Sequence, residues 1–325
     1  MKLILPLLAV LLTFSNSLSA TEKTTIRIGV LPFGTVNWEL TALQYAGLDN
    51  TDSYSLAIRQ IANPQAGKIA LQSGAVDMVV SDWIWVSRQR AHGSDLSFFP
   101  YSNTAGALIV AADSPIHTLP DIQGRSLGIA GGELDKNWLL LQALAEKNYH
   151  INLNTQVEKL FAAAPLLNQQ LLHHRVDAII NYWHFAARLE AQGYRQIING
   201  SEILQQLGIT EKVPSLGYVF KRNWAQQNRQ AINSFLKAAQ QSGDSLCDSN
   251  EMWQKILPLT RTEHAATQKI LRKRYCAGRI TQWGEQERQA AGKIYALLRK
   301  YSKNRLTGDA KVVQAGTFWI MEASE

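Results

Sequence analysis

The sequence predicts an α/β protein with two lobes, each built on a mostly parallel sheet flanked by helices. Short apolar strands alternate with longer helices along the chain, a pattern that is typical of parallel sheets covered on both faces. The length of 325 residues favours two cores, since a single core stops growing at about 250–300 residues. A third observation is that part of the chain resembles another part of itself.

The internal repeat has a constant offset of 100 residues. The segments 74–93 and 174–193 share Val76/Val176, Asp77/Asp177, Trp83/Trp183, Arg88/Arg188, Ala91/Ala191 and Gly93/Gly193. The pairs Asn37-Trp38 and Asn137-Trp138 obey the same offset. Two independent segments with one offset indicate two similar α/β units.

In each unit the sequence predicts, in order, a strand, a glycine turn, two helices, a second strand and a third helix. In the first unit these are residues 26–30, 36–45, 65–73, 77–80 and a helix that carries Trp83. In the second they are residues 126–130, 134–147, 164–173, 177–180 and a helix that carries Trp183. Asp77 and Asp177 begin strands, so we interpret both as structural.

Two extended apolar segments, 106–115 and 215–224, are interpreted as strands that cross between the units. After Trp224 the chain is mostly helical, with helices predicted at 227–246, 250–257, 262–275 and 285–301. This arrangement predicts a discontinuous first lobe, residues 21–108 and 218–325, with a second lobe at 109–217 inserted between its parts.

The N-terminus has the composition of a secretory signal. Met1-Lys2 is followed by a largely apolar run from Leu3 to Phe14 and by small residues up to Ala20, which together indicate a cleaved segment at 1–20. The run is too short to span a bilayer, which requires about 20 residues. We therefore expect an exported protein, most simply one in a bacterial periplasm.

Composition and charge exclude several other classes. With 46% hydrophobic and 18% charged residues, the chain is an ordinary globular protein. The net charge of +7 is concentrated late and fits solvated helix faces, and without a nucleic-acid motif we expect no nucleic-acid partner. The histidines lack zinc-ligand spacing, so we predict no metal. Cys247 and Cys276 form either a disulfide or two buried free thiols.

Several segments resemble a known family. These are IRIGVLPFG, ALQSGAVDMVVSD, GALIVAADSPIHTLPDIQGRSLGIAGG and LGYVFKRNW, and the stretch from Asp113-Ser114-Pro115 to Leu127-Gly128 is the most specific. They are similar to the type II periplasmic solute-binding proteins of ABC importers for nitrate, alkanesulfonates and taurine, a group that includes thiamine-pyrimidine binders. The resemblance implies the type II two-lobe fold, a hinge at the crossing strands and closure around a small solute. It also implies docking of the closed form on a membrane permease. We expect a monomer.

The candidate ligand residues lie in the turns after the strands, because ligands bind beyond the carboxyl ends of parallel strands. In the first lobe they are Phe33, Gly34, Thr35, Asn37, Trp38, Ser81, Asp82, Trp83, Tyr101 and Thr104. In the second lobe they are Gly131, Gly132, Asp135, Lys136, Asn181, Tyr182 and Trp183.

Charged residues and glycines suggest the chemistry of this site. The amides at Gly131-Gly132 precede a helix and could bind an anion, and the alternative is that the glycines only form a tight turn. Lys136 could bind an anionic group, or could pair with Glu133 or Asp135. A carboxylate in the cleft, from Asp82, suits an amino group or a heterocyclic N–H.

Other candidates have an alternative structural role. Thr35, Asn37, Ser81, Asp82 and Asn181 could cap the helices that follow them. Trp38 could line the cleft or belong to the core.

Taken together, the residues predict a small anionic or zwitterionic solute of the sulfonate or taurine type; nitrate is small for so many aromatics. The alternatives are a heteroaromatic solute, such as a thiamine-pyrimidine precursor, and a ligand sensor for a separate membrane partner. The fold also resembles the thiamine-pyrimidine synthases, whose Cys-rich signature is missing here. No Gly-x-Ser-x-Gly elbow or P-loop is present either. We therefore expect no catalytic residue, no cofactor and no enzymatic activity.

Overall fold

A computed structural model describes residues 23–321 of the chain. The predicted signal segment, residues 1–20, lies outside the described residues. Ten strands form two five-stranded sheets. The first sheet contains β1 (Thr24–Val30), β2 (Tyr54–Gln60), β3 (Met78–Ser81), β4 (Leu96–Ser102) and β10 (Leu216–Lys221). The second contains β5 (Ala107–Val110), β6 (Ser126–Ala130), β7 (Glu158–Ala162), β8 (Ala178–Asn181) and β9 (Arg195–Asn199).

The two sheets share one topology. Their strand orders are β2-β1-β3-β10-β4 and β7-β6-β8-β5-β9. In each sheet the fourth strand runs antiparallel to its neighbours, and it arrives from the other sheet: β5 follows β4, and β10 follows β9. The predicted fold class, two lobes with mostly parallel sheets, is confirmed. The residue boundaries proposed for the lobes stay a prediction.

Thirteen α-helices within residues 23–321 cover the sheets. Those of the two units are α1 (Thr35–Tyr45), α2 (Pro64–Ser73), α3 (Trp83–Ala91), α4 (Lys136–Tyr149), α5 (Leu153–Gln156), α6 (Ala164–Leu172), α7 (Trp183–Glu190) and α8 (Gly200–Gln206). Those that follow β10 are α9 (Arg222–Gln227), α10 (Arg229–Asp248), α11 (Asn250–Ile256), α12 (Ala265–Ala277) and α13 (Glu285–Tyr301). Short 3₁₀ helices lie at Leu119–Ile122 and Leu257–Thr260. None of the helices in the described part of the chain is long and apolar enough to span a bilayer.

The repeat has a structural counterpart at the residue immediately before β3 and before β8. The Asp77 carboxylate accepts a hydrogen bond from the Arg27 amide at 2.9 Å and pairs with its guanidinium. The Asp177 carboxylate accepts one from the Ser126 amide at 2.8 Å. Each aspartate therefore fixes the register between neighbouring parallel strands, as a structural role requires.

The C-terminal helices contact both lobes. Helix α10 packs on α1 of the first lobe, whereas α12 packs on α7 and α13 on α4 of the second lobe. A disulfide between Cys247 and Cys276 joins the end of α10 to the end of α12. The tail then pairs with the edge of the first sheet, because the Phe98 amide donates to Thr317 and the Trp319 amide donates to Phe98, both at 2.8 Å.

Candidate ligand site between the two lobes

The carboxyl ends of β1 and β3 face those of β6 and β8. Two contacts establish this arrangement. The Lys136 ammonium group, after β6, lies 3.5 Å from the Asp82 carboxylate, after β3. The Trp38 and Trp183 rings, from α1 and α7, meet edge to face with centroids 6.3 Å apart. The turns predicted to bind a ligand are therefore brought together from both lobes.

The turn after β1 is tied to its own lobe. The Asn37 side chain donates to the Leu31 carbonyl at 2.7 Å, and the Thr35 hydroxyl accepts from the Tyr101 hydroxyl at 2.7 Å. Neither side chain caps α1, whose N-cap residue is Gly34 with a φ of 106°. Gly34 and Phe33 are exposed, Phe33 to 51%.

Two of the candidate tryptophans are in the core. Trp38 is 4% exposed and its indole N–H donates to the Leu259 carbonyl at 3.3 Å. Trp83 is 2% exposed and donates to the Pro214 carbonyl at 2.9 Å. This favours the core alternative for Trp38 and gives Trp83 the same packing role. Trp183 is half-buried against Trp38.

The turn after β3 carries the buried acid of the site. Ser81 is buried, and Asp82 caps α3 by accepting from the Trp85 amide at 2.9 Å. Burial opposes ionisation of Asp82, but the charge of Lys136 and the Trp85 hydrogen bond more than compensate, so its pKa lies below the ordinary value. Asp82 is therefore ionised at neutral pH, and it combines the capping role with a contact across the lobes.

The glycines after β6 form a tight turn. Gly131 and Gly132 have φ values of 79° and 98°, which disfavour any residue with a Cβ. A Cβ at Gly131 would lie 2.5 Å from the Tyr182 hydroxyl oxygen. The Asp135 carboxylate already accepts from the amides of Asn137 at 2.9 Å and Trp138 at 3.1 Å. These two amides at the start of α4 are thus occupied by the chain's own anion, and burial raises the pKa of that carboxyl.

Lys136 pairs with an acid of the other lobe. Pairing with Glu133 or Asp135 was the expected alternative to ligand binding. Glu133 instead pairs with Arg305 at 3.0 Å, and Lys136 pairs with Asp82 of the other lobe. The lysine side chain remains one-third exposed, so it can also reach a ligand.

The remaining candidates divide between structural and accessible positions. The Asn181 amide group donates to Ala164 at 2.9 Å and to Asn168 at 2.8 Å, which fixes α6 against β8. The Thr104 hydroxyl bonds to Ser102 at 2.8 Å beside the crossing between the lobes. Tyr182, at the N-cap position of α7, is 36% exposed.

Sequence reasoning missed a buried polar network beneath the turn after β1. Glu39 of α1 is 3% exposed. Its carboxylate accepts from the hydroxyls of Tyr275 and Tyr218, and the Arg279 guanidinium lies 3.3 Å away. Arg279 also pairs with Asp244 at 2.9 Å. Burial raises the pKa of Glu39 to about 7 against the opposing effect of Arg279 and the tyrosines.

The signal for this network in the sequence is faint. Glu39 is an acidic residue between Trp38 and Leu40 in an apolar run, and its partners come from segments more than 170 residues away. Tyr101 extends the network towards the site through Thr35, and burial raises its pKa well above the usual value.

His184 and two surface depressions in the described part of the chain lie outside the set of candidate ligand residues. His184 is packed against Phe185 with ring centroids 4.4 Å apart, and burial, aided by Arg188, lowers its pKa to about 4. Within residues 23–321 no three His, Cys, Asp or Glu side chains are placed to hold a metal ion. Two surface depressions of about 530 and 520 Å³ lie among α10–α12 and beside α4 and α13, and neither is lined by a candidate ligand residue.

The comparisons with known proteins agree with this architecture. The model of the family described as NMT1/THI5 like matches residues 52–250. The fold is similar to that of the periplasmic aliphatic sulphonate binding protein SsuA from Escherichia coli, with 19% identity, a TM-score of 0.72, and 93% of this chain and 94% of that chain covered.

Two further solved structures share the fold. The alkanesulfonate-binding protein SsuA from Xanthomonas axonopodis pv. citri, bound to MOPS, has 17% identity and a TM-score of 0.67, over 92% of this chain and 99% of that chain. An ABC transporter protein from Parabacteroides distasonis has 13% identity and a TM-score of 0.68, over 92% and 100%. None of the curated proteins matches the sequence significantly.

Proposed function

Because the chain belongs to the NMT1/THI5-like family, we propose that it is the exported solute-binding component of an ABC import system. In this proposal residues 1–20 direct export to the periplasm and are removed. The protein then holds a small anionic or zwitterionic organic solute, of the sulfonate or taurine type, between its lobes. It delivers that solute to a membrane permease. The fold shared with solved sulfonate-binding proteins supports the proposal.

The observation that carries the proposal is the Lys136–Asp82 contact between the lobes. A cation and an anion from opposite lobes meet beyond the strand ends, where α/β proteins bind ligands. A solute that engages Lys136 therefore acts on a contact that exists only when the lobes are together, and binding is coupled to closure.

A heteroaromatic solute is the second candidate. The exposed rings of Phe33 and Tyr182, from opposite lobes, support it. Aromatic side chains bind flat ligands by stacking, and a thiamine-pyrimidine precursor has such a surface. Phe33→Ala and Tyr182→Ala should then weaken binding of a heteroaromatic solute far more than binding of a short alkanesulfonate.

A thermal-shift panel on the mature protein tests the solute class. The protein is refolded to remove retained ligand and is mixed with taurine, alkanesulfonates, MOPS, nitrate, aromatic carboxylates and thiamine pyrimidines. A solute at 100 times its Kd should raise the melting temperature by a few degrees. A shift with sulfonates supports the proposal, a shift with pyrimidines alone supports the second candidate, and a flat response to every class contradicts both.

Import and sensing can be separated in cells. If the protein feeds an importer, deletion of its gene should abolish uptake of a radiolabelled solute identified by the panel. Restoring the wild-type gene should restore uptake, and Lys136→Met should restore less. Unchanged uptake in the deletion strain would favour a sensor that signals to a separate membrane partner.

A further inference from the structure

Lys68 of α2 is a second lysine at the junction of the lobes. It was not among the residues predicted from the sequence. Its ammonium group lies 4.7 Å from the centre of the Trp85 ring, in α3, a distance at which a cation is attracted to the ring face. The side chain is half-buried.

Trp85 connects Lys68 to the contact between the lobes. Its ring lies under the Lys68 ammonium group, and its backbone amide donates to one oxygen of Asp82. The other oxygen of Asp82 faces Lys136 at 3.5 Å. The Asp82 side chain is only 16% exposed. One buried carboxylate thus contacts Lys136 of the other lobe and interacts electrostatically with Lys68 of its own lobe.

The charges around this carboxylate leave a positive excess. Burial lowers the pKa of Lys68, Asp82 opposes the change, and the positive charges of Lys136 and Arg88 add to it. Asp135, which also interacts with the charge of Lys136, is engaged by two α4 amides. An ammonium group of a solute placed beside Asp82 would therefore be repelled by the charges of Lys68, Lys136 and Arg88.

We infer that Lys68 and Lys136 together form an oxyanion-binding pair that spans the two lobes, and that Asp82 positions these lysines instead of receiving an amino group from the solute. This inference rests on the proposed function and makes it more specific. The site selects a sulfonate or carboxylate end, and it gains nothing from an amino group on the solute near Asp82. This positioning role of Asp82 differs from the contact with an amino group or a heterocyclic N–H that the sequence suggested.

Ethanesulfonate and taurine, two probes that differ by one amino group, test the inference by calorimetric titration of the mature protein. Lys68→Met and Lys136→Met should each weaken ethanesulfonate binding at least tenfold, because each removes one of two charges that face the anion. Lys269→Met, on the exposed side of α12, is the matched control and should bind as the wild type does. Circular dichroism and the melting temperature without probe verify that each variant is folded.

Asp82→Asn separates the two roles of the carboxylate. Asparagine keeps an oxygen that can cap α3 but removes the negative charge. If Asp82 positions the lysines and does not contact the amino group of the solute, its loss should change the Kd values of ethanesulfonate and taurine by the same factor, so that their ratio stays at the wild-type value. A selective loss of taurine binding would instead show that Asp82 receives the amino group, and would overturn the inference.

Inorganic sulfate, the third probe, distinguishes the two possible failures. If sulfonates fail to bind but sulfate binds in a manner that depends on Lys68, the solute class is wrong and the oxyanion pair stands. If sulfonates bind and Lys68→Met matches the Lys269→Met control, the pair is wrong and the proposed function stands. If no anion binds the wild type, both are overturned.

Discussion

Glu39 is a buried residue whose carboxyl group changes its charge with pH. Its pKa is raised to about 7, mainly by burial, from an ordinary value of 4.5. Between these values the folded protein binds more protons than the unfolded chain, so this group makes the protein less stable as pH rises. The contribution is fully present below pH 4.5 and is lost as pH rises through about 7.

Glu39→Gln should remove this dependence. Glutamine has the same size and can still bond to the Tyr218 and Tyr275 hydroxyls. In urea titrations from pH 4.5 to 8, the free energy of unfolding of the wild type should fall by on the order of 1–3 kcal/mol relative to that of the variant. Glu251→Gln, whose side chain is 84% exposed, is the control. If the free energy of unfolding of the wild type and of Glu39→Gln changed with pH in parallel, the Glu39 carboxyl would not have a raised pKa.

The contrast between Asp82 and Glu39 shows what sequence reasoning can reach at the scale of residues. Asp82 follows a strand and precedes a helix, so its position alone predicts a cap or a ligand contact. Glu39 lies within a helix, and its role depends on Tyr218, Tyr275 and Arg279, which only the folded chain brings together. Lys68 was missed for the same reason, because its importance comes from Trp85 and Asp82.

At the scale of elements, the unpredicted strands are the four edge strands β2, β4, β7 and β9. The central strands are short apolar runs, which is the pattern of strands buried on both faces. Edge strands are partly solvated, and β7 is exposed along nearly its whole length. β4 is fully buried but contains Pro100, which weakens a strand prediction, and its burial depends in part on the distant tail at Thr317–Trp319.

The disulfide is an element-scale constraint that the sequence left open. Cys247 and Cys276 are 29 residues apart and join α10 to α12. A cross-link over a loop of this length is expected to stabilise by roughly 3 kcal/mol, chiefly by restricting the unfolded chain. The double variant Cys247→Ser/Cys276→Ser should lower the free energy of unfolding by about that amount in urea. Reduced wild type should match it, and a loss below about 0.5 kcal/mol would contradict the estimate.

For the whole molecule, the C-terminal helices restrain the lobes in addition to the two crossings. Helix α12 lies on α7 of the second lobe, where Arg274 contacts Glu190 at 2.6 Å and Arg188 donates to the Thr260 carbonyl at 2.6 Å. The same helix is fastened to α10, and through it to the first lobe, by the disulfide. If the lobes open about the crossings, as the proposed function requires, the α12–α7 interface must also part or slide.

Glu190→Gln should shift the unliganded protein towards the open form. It removes the charge that holds Arg274 at a partly buried contact while keeping the size of the side chain. Because affinity falls with the population of the closed form, the Kd for an established solute should rise severalfold. Small-angle scattering should show a larger radius of gyration for the unliganded variant, and saturating solute should return it to the wild-type value. Lys255→Gln, which breaks the surface pair with Glu251 inside α11, is the matched control. If Glu190→Gln lowers the melting temperature but leaves both the radius of gyration and the Kd at control values, the contact stabilises local packing and does not restrain the lobes.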